Sequence, residues 1–189
     1  NTPLRESIAD ALRSRRVFAP FRSLFDLEYG HASSLDFGTR AISSSRGVRQ
    51  GSTLAPLFFC AVLQPCLLRL RAQFPSVSIR AYMDDITISG TPNDIEKVFH
   101  AACVELSLIG VSVNEKKSHV YCADAARMPN VPIPRHNDCI RILGAFIGTV
   151  DACRNEVSAA ASDHADALRL LAMLPADVQL AILGSCMLP

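Results

Sequence analysis

The chain has 189 residues, of which 49% are hydrophobic and 20% charged, with a formal net charge of +1. That apolar share supports one globular domain, or a domain and part of another, and excludes an intrinsically disordered chain. The balanced charge excludes a globally basic binder of nucleic acid but not a locally basic channel, and arginines do gather at Arg13, Arg15 and Arg16, at Arg40, Arg46 and Arg49, and at Arg69 and Arg71.

Seven cysteines stand singly at positions 60, 66, 103, 122, 139, 153 and 186, with no CxxC pair. They are expected to be reduced, buried thiols of an intracellular, reducing compartment, forming neither a disulfide framework nor a zinc site. No apolar run is expected to reach the roughly 20 residues of a membrane span, so no membrane partner is expected. Asn1 opens no signal peptide, and both ends of the chain look like cuts through a longer protein.

In chain order, Thr2 and Pro3 predict a helix start, with Leu4, Ile8, Ala11 and Leu12 at helical spacing behind it. Pro20 opens a second helix running to about Tyr29. Residues 33–43 alternate loosely around Gly38 and predict a hairpin. A polar loop over 43–52 feeds an apolar helix from Pro56 through Leu70. Val77, Ile79 and Ala81, then Ile86 and Ile88, alternate on either side of Met83-Asp84-Asp85, which predicts a hairpin with acids at its tip. Thr91-Pro92 caps a further helix that Gly110 ends. Val111 and Val113 predict a short strand, and residues 119–122 another. A proline-bearing loop spans 124–138, an apolar β-like run broken by Gly144 spans 140–147, and an Ala-rich helical tail starts near Arg154, with Pro175 dividing it. The class is α+β, built as two layers.

Four segments carry residues suited to chemistry or to close contact with a ligand. Tyr82-Met83-Asp84-Asp85 would set two short carboxylates on a rigid hairpin, where they can hold two divalent ions about 4 Å apart; hard oxygen ligands suit Mg²⁺. A plain turn, in which Asp is common for local reasons, is the alternative. Upstream, Gly47-Val48-Arg49-Gln50-Gly51-Ser52 leads into a helix start, where free N–H groups meet anions or a base pair; Gln50 can bond nucleotide edges and Arg49 can meet phosphate. Downstream, Asn114-Glu115-Lys116-Lys117 offers a lysine that could protonate a leaving pyrophosphate, or simply be solvated. Leu143-Gly144 places a glycine inside an apolar strand, open to close approach by another backbone.

Taken together in this order, the segments resemble reverse transcriptases. Residues 47–56, Gly-Val-Arg-Gln-Gly-Ser-Thr-Leu-Ala-Pro, resemble motif B; Tyr82-Met83-Asp84-Asp85 resembles motif C; Asn114 with Lys117 resembles the N-x-x-K of motif D; Leu143-Gly144 resembles the motif E primer grip. Asn1-Thr2-Pro3-Leu4-Arg5 resembles the stretch after motif A in non-LTR (LINE-type) retrotransposons. Two positions depart from the pattern: Ala55 stands where the family more often has Ser, and Met83 where non-LTR members usually have a smaller residue. A group II intron, DIRS-like or retron origin stays open on these residues.

The resemblance implies a right-hand polymerase palm, an antiparallel sheet with packed helices, over residues 1–150, and the start of a helical thumb over 151–189. The fingers, the motif A strand and its aspartate would lie upstream in the same polyprotein. Asp10, Asp26 and Asp36 lack the strand–helix context to replace that aspartate. Asp84 and Asp85 would be catalytic and metal-binding, with two Mg²⁺ ions, or Mn²⁺, as cofactor. Lys117 would be the general acid. Arg49, Gln50, Gly51, Ser52, Tyr82, Met83, Asn114, Leu143 and Gly144 would contact template, primer and nucleotide. The implied partners are an RNA template, a DNA primer and deoxynucleoside triphosphates, and the implied compartment, by analogy, is the nucleus. The 189 residues alone are expected not to polymerise. Two alternatives stand beside this: a catalytically inactive reverse-transcriptase-like module that binds RNA or acts as a scaffold, and an unrelated α+β domain with a coincidental acidic turn.

Overall fold

The computed structural model describes residues 2–49 and 51–179, without the side chains of residues 35–37. The chain forms two compact units, Asn1–Cys122 with Ala126–Arg135, and Ala123–Ala125 with His136–Pro189.

The first unit opens with helix α1 (Arg5–Ser14), a 3₁₀ turn (Arg16–Phe18) and α2 (Ala19–Tyr29). The first helix begins later than Thr2-Pro3 predicts. Those residues act instead as an extended strap: the Leu4 N–H donates to the Ile109 carbonyl at 2.9 Å, and the Pro3 carbonyl accepts the Gly47 N–H at 3.0 Å. Strands β1 (Ser33–Phe37) and β2 (Arg40–Ser44) pair antiparallel around Gly38, which has φ +60°. Helix α3 (Ala55–Gln73) carries Pro56 in its first turn, where the missing N–H costs nothing.

Helix α3 is the centre of the unit. Its Phe58, Ala61, Val62, Leu63 and Cys66 are buried with Ile8 and Leu12 of α1, Phe25 and Tyr29 of α2, and Leu106. The Phe58 ring meets those of Phe25 and Tyr29 edge-on, at 5.2 and 5.9 Å between centroids, a favoured aromatic geometry. By length and composition α3 is apolar enough to cross a membrane. This corrects the expectation that no run is long enough; the same apolar surface serves here as the core stripe.

Strands β3 (Ser78–Tyr82) and β4 (Asp85–Ser89) form the predicted hairpin, and α4 (Pro92–Leu108) follows. Thr91 caps α4 by accepting the Asp94 N–H at 3.3 Å, and Gly110, at φ +78°, ends it. Ile79 packs with Leu70, Val77, Val98 and Ala102 in a second buried cluster, so the hairpin lies across α3 and α4. Val111 and Val113 do not form the predicted strand. They lie outside any strand with their side chains partly buried against the main core, and that packing accounts for the alternation. Beyond them come β5 (Val120–Tyr121), a 3₁₀ turn (Ala125–Arg127) and β6 (Arg135–His136).

The second unit holds the hairpin of β7 (Cys139–Ile142) and β8 (Ala145–Gly148), then helix α5 (Val150–Ala172). Its start precedes Arg154 because Thr149 caps it, accepting the Ala152 N–H at 3.4 Å. None of its side chains is fully buried. The α+β class read from the sequence is observed, with the strands of each described sheet paired in twos.

Candidate functional site

The acidic hairpin is built around one unusual residue. Tyr82 pairs with Asp85, leaving Met83 and Asp84 as the two-residue turn. Met83 has φ +54°, a left-handed conformation that costs a residue with a β-carbon roughly 1–2 kcal/mol. Strand alternation sends Ile79, Ala81, Ile86 and Ile88 to the core face, so Tyr82 and Asp85 share the outer face. Asp84 and Asp85 are both exposed, and neither carboxylate has an ion-pair partner among the described residues. The turn meets α3 through one sulfur contact, the Met83 sulfur lying 3.9 Å from the Cys60 sulfur.

Cys60 is five residues into α3, about 7.5 Å along its axis. At the start of that helix lies the glycine-bearing loop. Gly47, at φ +66°, passes so close to Thr2 that a β-carbon would sit 2.6 Å from the Thr2 Cβ. The Arg5 guanidinium donates from Nε to the Gly47 carbonyl at 3.3 Å and lies over the Tyr29 ring at 5.3 Å. The Arg49 N–H donates to the Tyr29 hydroxyl at 3.1 Å. The Ser52 N–H returns to the Arg49 carbonyl at 3.2 Å, and Gly51 between them has φ +88°. The Ser52 hydroxyl donates to Glu28 Oε2 at 3.2 Å. Glu28, Arg49, Gly51, Ser52, Thr53 and Leu54 line an open cavity of about 500 Å³. Gln50 lies outside the described residues.

Asn114 and Lys117 fall in a turn after α4. The Lys117 N–H donates to the Asn114 carbonyl at 3.0 Å and to its side-chain Oδ1 at 3.3 Å, so Asn114 shapes the turn that carries the lysine. No hydrogen bond or ion pair joins either residue to Asp84 or Asp85 among the described residues. Leu143 and Gly144 belong to the second unit. They form its hairpin turn with φ +48° and +87°, the double positive φ of a type I′ turn.

The structure also brings together residues that the sequence left apart. Glu28, Tyr29 and Arg5 hold the loop, with no local signal for it. Cys139 and Cys153 stand with sulfurs 3.6 Å apart; withdrawal from water, the hydrogen bond with Cys153, and the charges of Cys153, Glu156 and Asp138 push the Cys139 thiol up to about 11. Among the described cysteines only Cys66 is fully buried, which corrects the expectation of buried thiols throughout. Several clustered arginines make contacts within the chain: Arg13 pairs with Asp10, Arg69 with Glu105, and Arg46 donates to the Gly110 carbonyl.

For a divalent metal ion the available donors are the two exposed carboxylates, whose hard oxygens fit Mg²⁺. Among the described residues no group of three His, Cys, Asp or Glu side chains converges as a metal site, so these two carboxylates alone would fill only part of a coordination shell.

The family model for "Reverse transcriptase (RNA-dependent DNA polymerase)" matches residues 10–147. The chain belongs to the reverse transcriptase family. It is 30% identical over 125 residues to the "Retrotransposable element SLACS 132 kDa protein" of Trypanosoma brucei gambiense; the match covers 64% of this chain and 11% of that protein. The non-LTR type expected from the motif pattern agrees with this relative, of which the chain spans about a tenth. No solved structure matches. The reverse transcriptase match takes in all the motif B, C, D and E residues named above, across both units.

Proposed function

We propose that the chain is the palm, with the start of the thumb, of a retrotransposon RNA-directed DNA polymerase. It would add deoxynucleotides to a DNA primer 3′-hydroxyl on an RNA template. The observation that carries this reading is a pair of exposed carboxylates, without an ion-pair partner among the described residues, on a strained turn that touches α3, the helix opening at the glycine-bearing loop.

Asp84 and Asp85 would hold divalent ions, Mg²⁺ or Mn²⁺, which when bound activate the 3′-hydroxyl and neutralise charge on the triphosphate. The chain's own residues do the positioning. The hairpin backbone keeps both short carboxylates within a narrow range, since an Asp side chain has little reach. Tyr82, on the Asp85 face, offers an aromatic surface to the primer end. Arg49, Gly51 and Ser52 line a cavity open to the nascent pair, with Gln50 beside them in sequence. The Lys117 turn supplies a candidate proton donor to the leaving pyrophosphate, and Leu143-Gly144 a grip on the primer. The further ligand of the clamp would come from a motif A aspartate outside residues 1–189, so these residues by themselves would not extend a primer.

The test is RNA-templated primer extension by the complete polypeptide carrying this chain, with Mg²⁺ or Mn²⁺. Extension that falls to background in Asp84→Ala supports the reading. An Asp84→Ala protein that extends primers like the parent, or extension by the isolated 189 residues, overturns the corresponding part of it.

A further inference from the structure

Two consecutive residues at the end of α2 touch both ends of one turn in the motif B loop. The Tyr29 hydroxyl accepts the Arg49 backbone N–H at 3.1 Å, and Glu28 Oε2 accepts the Ser52 hydroxyl proton at 3.2 Å. Between these anchors the turn is closed by the Ser52 N–H on the Arg49 carbonyl and bends at Gly51. We propose that Glu28 and Tyr29 are positioning residues for polymerisation, a two-point clamp that fixes the motif B turn against the nucleotide cavity.

The two anchors differ in stiffness, and that decides their parts. Tyr29 is almost wholly buried, at 2% exposure. Its ring is wedged edge-on against Phe58 in the first turn of α3 and lies beneath the Arg5 guanidinium, which itself reaches the Gly47 carbonyl and, through Nη1, the His31 carbonyl at 3.1 Å. A phenol held on its faces and edge has little freedom to move its hydroxyl, so the Arg49 amide is pinned to the core. Glu28 is only half-buried and lines the cavity. Its carboxylate orients the Ser52 hydroxyl, a charge-assisted hydrogen bond stronger than a neutral one. A loop with glycines at φ +66° and +88° is otherwise free to visit many conformations. A nucleotide or template base bound there would have to order it, and the clamp removes that cost in advance.

The inference rests on the polymerase reading, and two measurements keep the failures apart. In the complete polypeptide, deoxynucleotide KM and kcat are compared for the parent, Glu28→Ala, Glu28→Gln, Tyr29→Phe and the Glu28→Ala/Tyr29→Phe double variant. Losing one such hydrogen bond is expected to raise KM about fivefold in Glu28→Ala and in Tyr29→Phe while leaving kcat within about twofold. Glu28→Gln should recover most of the loss seen in Glu28→Ala, because its amide oxygen still accepts from Ser52 although without the charge. The double variant should rise by less than the product of the singles, as both act on one turn. Amide exchange, which needs no activity, should show Arg49 losing protection in Tyr29→Phe. Unchanged Arg49 protection overturns the clamp whatever the polymerase assay gives. So does an unchanged KM in both single variants, or a kcat loss at constant KM that Glu28→Gln shares.

Discussion

The sulfur of Met83 rests 3.9 Å from the sulfur of Cys60, seating the acidic turn on the second turn of α3. The turn thereby takes its position from the helix that forms the core, while its backbone stays strained at φ +54°. Met83→Ala keeps the strain and loses the contact; Met83→Gly loses the contact and relieves the strain. The glycine variant should therefore be the more stable of the two by about 1 kcal/mol, the reverse of the usual order in a strand. Urea unfolding of both proteins checks it.

Gly47 and Gly51 both have positive φ, yet only Gly47 has a neighbour in the way, the Thr2 side chain. Gly51→Ala should cost roughly 1–2 kcal/mol from conformation alone. Gly47→Ala should cost more, about 3 kcal/mol, since the Thr2 strap must also shift. Equal losses in denaturant melts would show that the strap gives way freely.

Phe58 is fully buried between the rings of Phe25 and Tyr29. Phe58→Ala should destabilise the first unit by about 3–5 kcal/mol through lost burial and the cavity left behind. A thermal melt that barely moves would contradict this account of the core.

The Cys139 thiol, pushed up from 9.0 to about 11 beside Cys153, is stabilised in its protonated form. Folding stability from this group is present below pH 9 and is lost as pH rises towards 11. Alkylation of Cys139 at pH 8 should thus be slower in the folded protein than in the urea-unfolded chain, followed by peptide mass mapping. A mild dithiol oxidant such as an azodicarboxamide should join Cys139 to Cys153 with loss of two hydrogens, and faster native alkylation would contradict the shift.

Leu143 sits at φ +48° in the I′ turn of the β7–β8 hairpin, 60% exposed. Asn tolerates that conformation better, so Leu143→Asn should stabilise the hairpin by about 0.5–1 kcal/mol. If Leu143 grips the primer, the same change should weaken extension. Amide exchange across residues 139–148, read beside primer extension, separates the two effects.

The local pattern made much of this legible. Alternation on either side of Met83-Asp84-Asp85 located the β3–β4 hairpin, and Thr91-Pro92 and Gly110 marked both ends of α4, because each signal is written within a few residues. Val111 and Val113 misled for the same reason: a segment lying on a core alternates whether or not a strand pairs with it. The hydroxyl of Tyr29 reaches a backbone amide 20 residues away, and Cys139 meets Cys153 across a hairpin and a helix turn. Contacts of that kind depend on how elements pack, which residue spacing does not record. The motif residues were named from family resemblance, whereas Glu28 and Tyr29, which hydrogen-bond the Arg49–Ser52 loop, carry no such local signal.

Helix α5 shields none of its side chains completely, and its Arg154–Asp151 and Arg169–Asp166 pairs are exposed, each worth at most about 1 kcal/mol. Opening this helix exposes little new surface, so it should fray while α3 stays closed. Limited trypsin digestion would cut after Arg154 and Arg169 well before Arg71, whose guanidinium Nε is tied to the Ile79 carbonyl.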